Sequence, residues 1–165
     1  MNSLQKNNVQ PGDVLFFSAK PWYKDPAAFI IKLVTNSNFV HVGFAYWIDE
    51  DLFVIESQYG IDRTITNGEK YRDRDITAVT PLVEWKEHES EIIKTIDLMP
   101  YGYADLILVG LRALLGKIGI KAQFKNYEGE ICSEFVARFN DIQPCNISPT
   151  ELYDAMIAKG AIIKR

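Results

Sequence analysis

"NFVHVGFAYWIDEDLFVIES", residues 38–57, is the stretch that decides the fold. Two runs rich in β-branched and aromatic residues, 39–48 and 52–57, flank the polar tripeptide Asp49-Glu50-Asp51. Such runs suit a pleated, half-buried surface, and the short polar break between them predicts a β-hairpin. An antiparallel sheet is therefore the expected nucleus of the structure, and its two polar intruders need explaining. His41 lies inside the first run and Glu56 at the end of the second.

A histidine within an apolar strand must satisfy two ring nitrogens. His41 is either a hydrogen-bonded core residue or a base able to activate a nucleophile. Gly43 lies on the same strand face by the period of two, and its missing side chain leaves room beside the imidazole. A buried carboxylate is costly unless paired. Pairing of the two runs brings Glu56 close to Gly43, one step from His41. A two-residue turn at Glu50-Asp51 puts Glu56 and His41 on one face, and a three-residue turn separates them. On one face, Glu56 can accept an imidazole N–H and fix the tautomer. Otherwise it is a solvated carboxylate at a strand end.

The nucleophile for such a base is sought in "GEICSEFVARFND", residues 129–141. Cys132 falls in the first turn of an expected short amphipathic helix, about 132–140. Cys132, Val136 and Phe139 share one face at i, i+4 and i+7, so the thiol should point inward. Unpaired backbone N–H groups and the macrodipole at a helix start favour a thiolate. The alternative is a buried structural cysteine. Cys145, in "QPCN", has a loop context, and His88, in "KEHESE", is expected on a solvated helix surface. Tyr101 and Tyr103, in "PYGY", line a pocket or serve as core-edge aromatics.

Outward from the hairpin, "PGDVLFFS" (11–18) reads as a turn and a strand, 26–34 as a short helix with Pro26 near its start, and 76–82 as another strand. Residues 58–75 read as polar and irregular. A helix is expected over 84–98, a strongly apolar helix over 104–118, a loop over 121–130, and a last helix over 148–160 capped by Ser148 or Thr150. "AIIKR" closes with a strand. The order argues for an α+β domain, an antiparallel β-sheet packed against helices. One domain over 1–165 is expected, with 1–10 a flexible terminus.

Composition narrows the function classes. The 165 residues are 47% hydrophobic and 24% charged with net charge −4, ordinary for a globular domain. Lys and Arg are scattered without a basic stripe, which argues against nucleic acid as partner. The polar start "MNSLQKNNVQ" lacks the apolar region of a secretory signal, and no run of eighteen apolar residues predicts a transmembrane segment. Synthesis in a cytoplasm is expected, with release by lysis or a phage origin as conjecture. Two cysteines make no disulfide framework, and two histidines without CxxC or HExxH make no zinc motif, so no metal is expected.

Taken in order, "PGDVLFF", "SNFVHVGFAY", "FVIES", "PYGY", "EICSEFVARF" and "SPTELYDA" resemble the circularly permuted branch of the NlpC/P60 superfamily, the YiiX/YebB-like papain-fold proteins. The resemblance covers about Pro11 to Ala155, and its specific part is the order of the motifs. Histidine before cysteine is the inversion that permutation of a papain-like fold would give. The resemblance implies Cys132 as nucleophile, His41 as base and Glu56 as the orienting group. It implies Tyr103, Tyr101, Gly43 and Ser133 beside the substrate, and acyl transfer without a cofactor. The expected function is a cysteine amidase or endopeptidase acting on a peptide or acyl-amide substrate, with cell-wall (peptidoglycan) stem peptides as first guess. A lipid-directed acyltransferase or thioesterase, using the apolar 104–120 segment, is the second reading, and a catalytically retired binding scaffold the third. Residues 58–75 and 121–130 are expected to flank the cleft.

Overall fold

Among the described residues, five antiparallel pairings join six strands in the order β4-β3-β2-β1-β5-β6. The strands are β1 (Val14–Ser18), β2 (Phe39–Ile48), β3 (Asp51–Gln58), β4 (Ile61–Asn67), β5 (Ile76–Val79) and β6 (Ile163–Lys164). Three helices are described with them: α1 (Trp85–Lys94), α2 (Cys132–Arg138) and α3 (Pro149–Ala158). The computed structural model describes residues 8–19, 32, 37–58, 61–96, 111, 115–116, 119, 131–144 and 147–164. Of the expected helices at 26–34 and 104–118 only Lys32, Leu111, Leu115 and Gly116 are described, each helical; the rest of both, the loop at 121–130, Tyr101, Tyr103 and Cys145 lie outside the described residues.

The hairpin forms as expected, with Ile48 opposite Asp51 and Phe44 opposite Ile55. Its two-residue turn is Asp49-Glu50, one residue earlier than anticipated, and Asp49 sits in the left-handed region at φ 53°. Aspartate is among the few side chains that tolerate it. The register keeps the parity that matters, because an even shift leaves Glu56 on the face of Gly43 and His41.

Each sheet face has its own core. Val14, Phe16, Val42, Phe44, Ile55 and Val79 pack against the helices with Phe135, Val136, Leu152 and Met156. The opposite face holds Leu15, Phe17, Ala45, Leu52, Val54, Tyr71 and Ala78. Burial on both faces explains why central β1 reads as an unbroken apolar run.

Three expectations need correction. Residues 58–75 are not irregular throughout: they hold the edge strand β4 and a one-turn 3-10 helix, Gly68–Tyr71. An edge strand needs only one apolar face, so the polar content of "IDRTITN" hid a run rich in β-branched residues. Helix α2 is not amphipathic, since Cys132 through Ala137 are all buried, Ser133 and Glu134 included. His88 is half-buried, its ring edge-on to Phe139 at 5.6 Å between centroids. Val9 is buried, and its carbonyl accepts the Trp47 indole N–H at 3.2 Å.

Near the start of the chain, the carboxylate of Asp13 is buried and ion-paired to Lys164 at 2.8 Å. It also accepts the Gln10 N–H at 2.6 Å. Burial pushes the Asp13 carboxyl above its usual range, against the Gln10 N–H and Lys164, which pull it down.

Candidate functional site

β2 places His41 two residues from its start, and that start is fastened to α3. The Ser37 hydroxyl bridges the Phe39 carbonyl and the Thr150 hydroxyl, and Thr150 Oγ1 accepts the Phe39 N–H at 3.2 Å. Ser148 caps α3 reciprocally: its Oγ accepts the Glu151 N–H at 3.3 Å, and Glu151 Oε2 accepts the Ser148 N–H at 2.8 Å. Between the two expected caps, the helix therefore uses Ser148, while Thr150 anchors the strand.

Opposite His41 on β1 is Phe17, and across the hairpin, facing Gly43, is Glu56. The reason for glycine is proximity. A Cβ at Gly43 would lie 2.6 Å from Val54 Cγ1, 2.8 Å from the Ile55 carbonyl and 3.2 Å from Glu56 Cβ. Its absence lets β3 bring Glu56 up to the imidazole. The space is filled by the hairpin itself rather than left open beside the ring.

His41 Nε2 lies 2.5 Å from Glu56 Oε2. The Glu56 side chain has no solvent exposure, and that of His41 is 17% exposed. The same oxygen accepts the Tyr71 hydroxyl at 2.5 Å. Lys70 Nζ stands 3.9 Å from Glu56 Oε1. Burial pushes the Glu56 carboxyl up, but His41 first, then the hydroxyls of Thr66 and Tyr71, outweigh it and hold the carboxyl down at about 2. Burial alone would push the His41 imidazole down. The charges and hydrogen bonds of Cys132 and Glu56 outweigh it and raise the imidazole to about 10.

Cys132, 7% exposed, begins α2 and lies near enough to His41 for its charge and hydrogen bonding to raise the imidazole. With Nε2 committed to Glu56, the nitrogen left for sulfur is Nδ1. Cys132, His41 and Glu56, far apart in the chain, are thus brought into one neighbourhood. Glu134, at the third position of α2, accepts the Ile131 N–H at 3.3 Å and fixes the helix start that carries the thiol.

The other anticipated residues fall differently. Ser133 is fully buried and donates to the Ile147 carbonyl at 2.6 Å, so its hydroxyl works within the core rather than toward a cleft. Gly43 acts behind the pair of His41 and Glu56, as described. Tyr101 and Tyr103 lie outside the described residues. Sequence reasoning missed Tyr71, inside the "YRDRD" run. It is 4% exposed, stacks on Phe17 at 4.3 Å and lies near-parallel to His41 at 5.9 Å and 21°. The signal available was an aromatic among charges, too common to single out.

No protein-family model matches the chain, and no curated protein does. Among solved structures, it is similar to the crystal structure of the metalloprotein yiiX from Escherichia coli O157:H7, a DUF1105 protein. The TM-score is 0.52 at 16% identity, over 96% of this chain and 97% of that one. Among the described residues, no group of three or more His, Cys, Asp or Glu side chains could hold a metal ion. Cys132 and Glu56 engage the imidazole separately rather than converging with it on one point, so this trio does not fit a metal. Among the described residues, no helix is long and apolar enough to cross a membrane. The chain thus shares with yiiX an α+β fold, an antiparallel sheet packed against helices.

Proposed function

We propose that this chain is a cysteine hydrolase, an amidase or endopeptidase, in which Cys132 is the nucleophile, His41 the base and Glu56 the orienting carboxylate. The observation that supports the reading is the His41–Glu56 contact: an imidazole held at Nε2 by a buried, ionised carboxylate, with Cys132 as its other electrostatic neighbour. A structural cysteine needs no such partner. The chain order, histidine before cysteine, is that of a permuted papain-like fold, and we take residues 1–165 as one such domain.

The chemistry runs as acyl transfer. With the imidazole raised to about 10, His41 Nδ1 already holds the thiol's proton at neutral pH, and the thiolate attacks the carbonyl carbon of an amide, forming an S–C bond. The negative charge on the carbonyl oxygen is met by backbone N–H groups at the start of α2, that of Cys132 included. His41 returns the proton to the nitrogen as the C–N bond breaks, leaving a thioester and a free amine. Water then gives a proton to His41 and attacks the thioester, releasing acid and restoring the thiol. Glu56 takes no proton. It keeps Nε2–H pointing away from sulfur and offsets the imidazolium charge.

The substrate class we favour is a peptide or acyl amide, with cell-wall stem peptides first. The test is a panel of stem peptides and acyl amides assayed with the native chain, Cys132→Ala and His41→Ala. Iodoacetamide labelling of Cys132 at neutral pH runs beside it, with Cys145→Ser in every protein. Turnover and fast labelling that both depend on His41 support the proposal. Labelling equally slow with and without His41, and no turnover, would sink it in favour of a binding scaffold.

A further inference from the structure

We propose that Tyr71 is a positioning residue, whose hydroxyl locks Glu56 and, through it, the imidazole tautomer that presents Nδ1 to Cys132. The inference deepens the acyl-transfer reading and rests on it.

Two donors, His41 Nε2–H and Tyr71 O–H, converge on Glu56 Oε2, each at 2.5 Å. With Glu56 ionised, as its lowered carboxyl implies, it has no proton to give, so both contacts are donations to Oε2 and Nε2 carries a proton. A carboxylate held by His41 alone could swing about its last torsion, which is broad and soft. The second donor, on another element, removes that freedom. Burial first, then the neighbouring Glu56 charge, pushes ionisation of the Tyr71 phenol well above its ordinary range, so it remains a donor wherever the protein is folded.

The hydroxyl is itself held in place. The Tyr71 ring packs on Phe17 at 4.3 Å, and both rings lie to one side of His41, at 5.9 Å and 5.6 Å. The 3-10 turn that delivers it is fixed at its start. Asn67 caps it by accepting the Glu69 N–H at 2.9 Å, and a Cβ on Gly68 would lie 2.8 Å from the Leu52 carbonyl. The turn also supplies Lys70, whose ammonium stands near the other carboxylate oxygen. One short element therefore addresses both oxygens of Glu56.

The test is Tyr71→Phe, which keeps the ring and removes only the hydroxyl. Two readouts are taken at neutral pH: solvent exchange of the His41 Nε2 proton by ¹⁵N NMR, and the iodoacetamide rate of Cys132 with Cys145→Ser throughout. The expected result is exchange roughly tenfold faster and alkylation roughly tenfold slower, the effect of losing one hydrogen bond to a charged group. A folded Tyr71→Phe with native exchange and native alkylation would overturn the proposal, leaving the hydroxyl a structural role only. Should that variant not fold, site-specific 3-fluorotyrosine at position 71 strengthens the donor with the ring intact. It must slow the exchange, and no change overturns the proposal equally. If the native thiol labels no faster than in His41→Ala, the acyl-transfer reading fails by itself, and the Nε2 exchange still decides whether Tyr71 fixes the tautomer.

Discussion

His41 is bound through Nε2 to an oxygen of Glu56 that solvent does not reach. The two groups are shifted in opposite directions, the imidazole from 6.5 to about 10 and the carboxyl from 4.5 to about 2. A raised imidazole contributes stability that is complete below 6.5 and is lost as pH rises through about 10. A depressed carboxyl contributes stability that is complete above 4.5 and is lost as pH falls through about 2. Urea-unfolding free energies should therefore decline on the alkaline side between about pH 6.5 and 10. That decline should be absent in His41→Ala. An identical alkaline slope in both proteins would contradict the paired state.

Gly43→Ala should disturb the site from behind. Its Cβ would press on Val54 and on the Ile55 backbone, which cannot yield as a side-chain tip can. We expect a loss of about 1–3 kcal/mol in stability and a His41 titration midpoint below that of the native chain, because β3 carries Glu56 away with it. Equilibrium denaturation and histidine NMR titration check the two effects separately. Native values in both would show that the strands part without consequence.

The pair of Asp13 and Lys164 should be far more sensitive to removal of one partner than of both. Lys164→Met leaves a buried carboxylate without its cation and should cost about 3 kcal/mol. Asp13→Asn combined with Lys164→Met should recover much of that loss. Urea midpoints of the single and double variants give the coupling. Additive losses would mean that the ion pair is not coupled in the folded state.

Ser133→Ala should cost about 1–2 kcal/mol, because the Ile147 carbonyl would lose the donor that the fold supplies. Thermal or urea unfolding measures it, and an unchanged stability would contradict the buried hydrogen bond.

The hairpin, β1 and α3 were legible because their signals are local: β-branched runs, a short polar turn and Ser148 before Pro149. His41 and Glu56 were legible as a pair because polar groups inside apolar strands demand partners, and parity tells which can meet. Cys132 was found through its place at a helix start. β4 was hidden because an edge strand shows half of the usual pattern, and α2 seemed amphipathic because two of its polar residues are satisfied inside the core. Tyr71 was illegible for a different reason. Its value arises from a register between β3 and a turn beyond β4, and nothing within the "YRDRD" run encodes that meeting.

The ion pair between Asp13 and Lys164 also bears on how the chain is made. Asp13 emerges from the ribosome early, and its cation is 151 positions behind. At ordinary translation speeds that interval is on the order of ten seconds. Until then, closing β1 over Asp13 leaves its carboxylate without that cation, at the cost expected for Lys164→Met, about 3 kcal/mol. Lys164 arrives with β6, so the last strand of the sheet completes a contact that the residue before its first strand has left open.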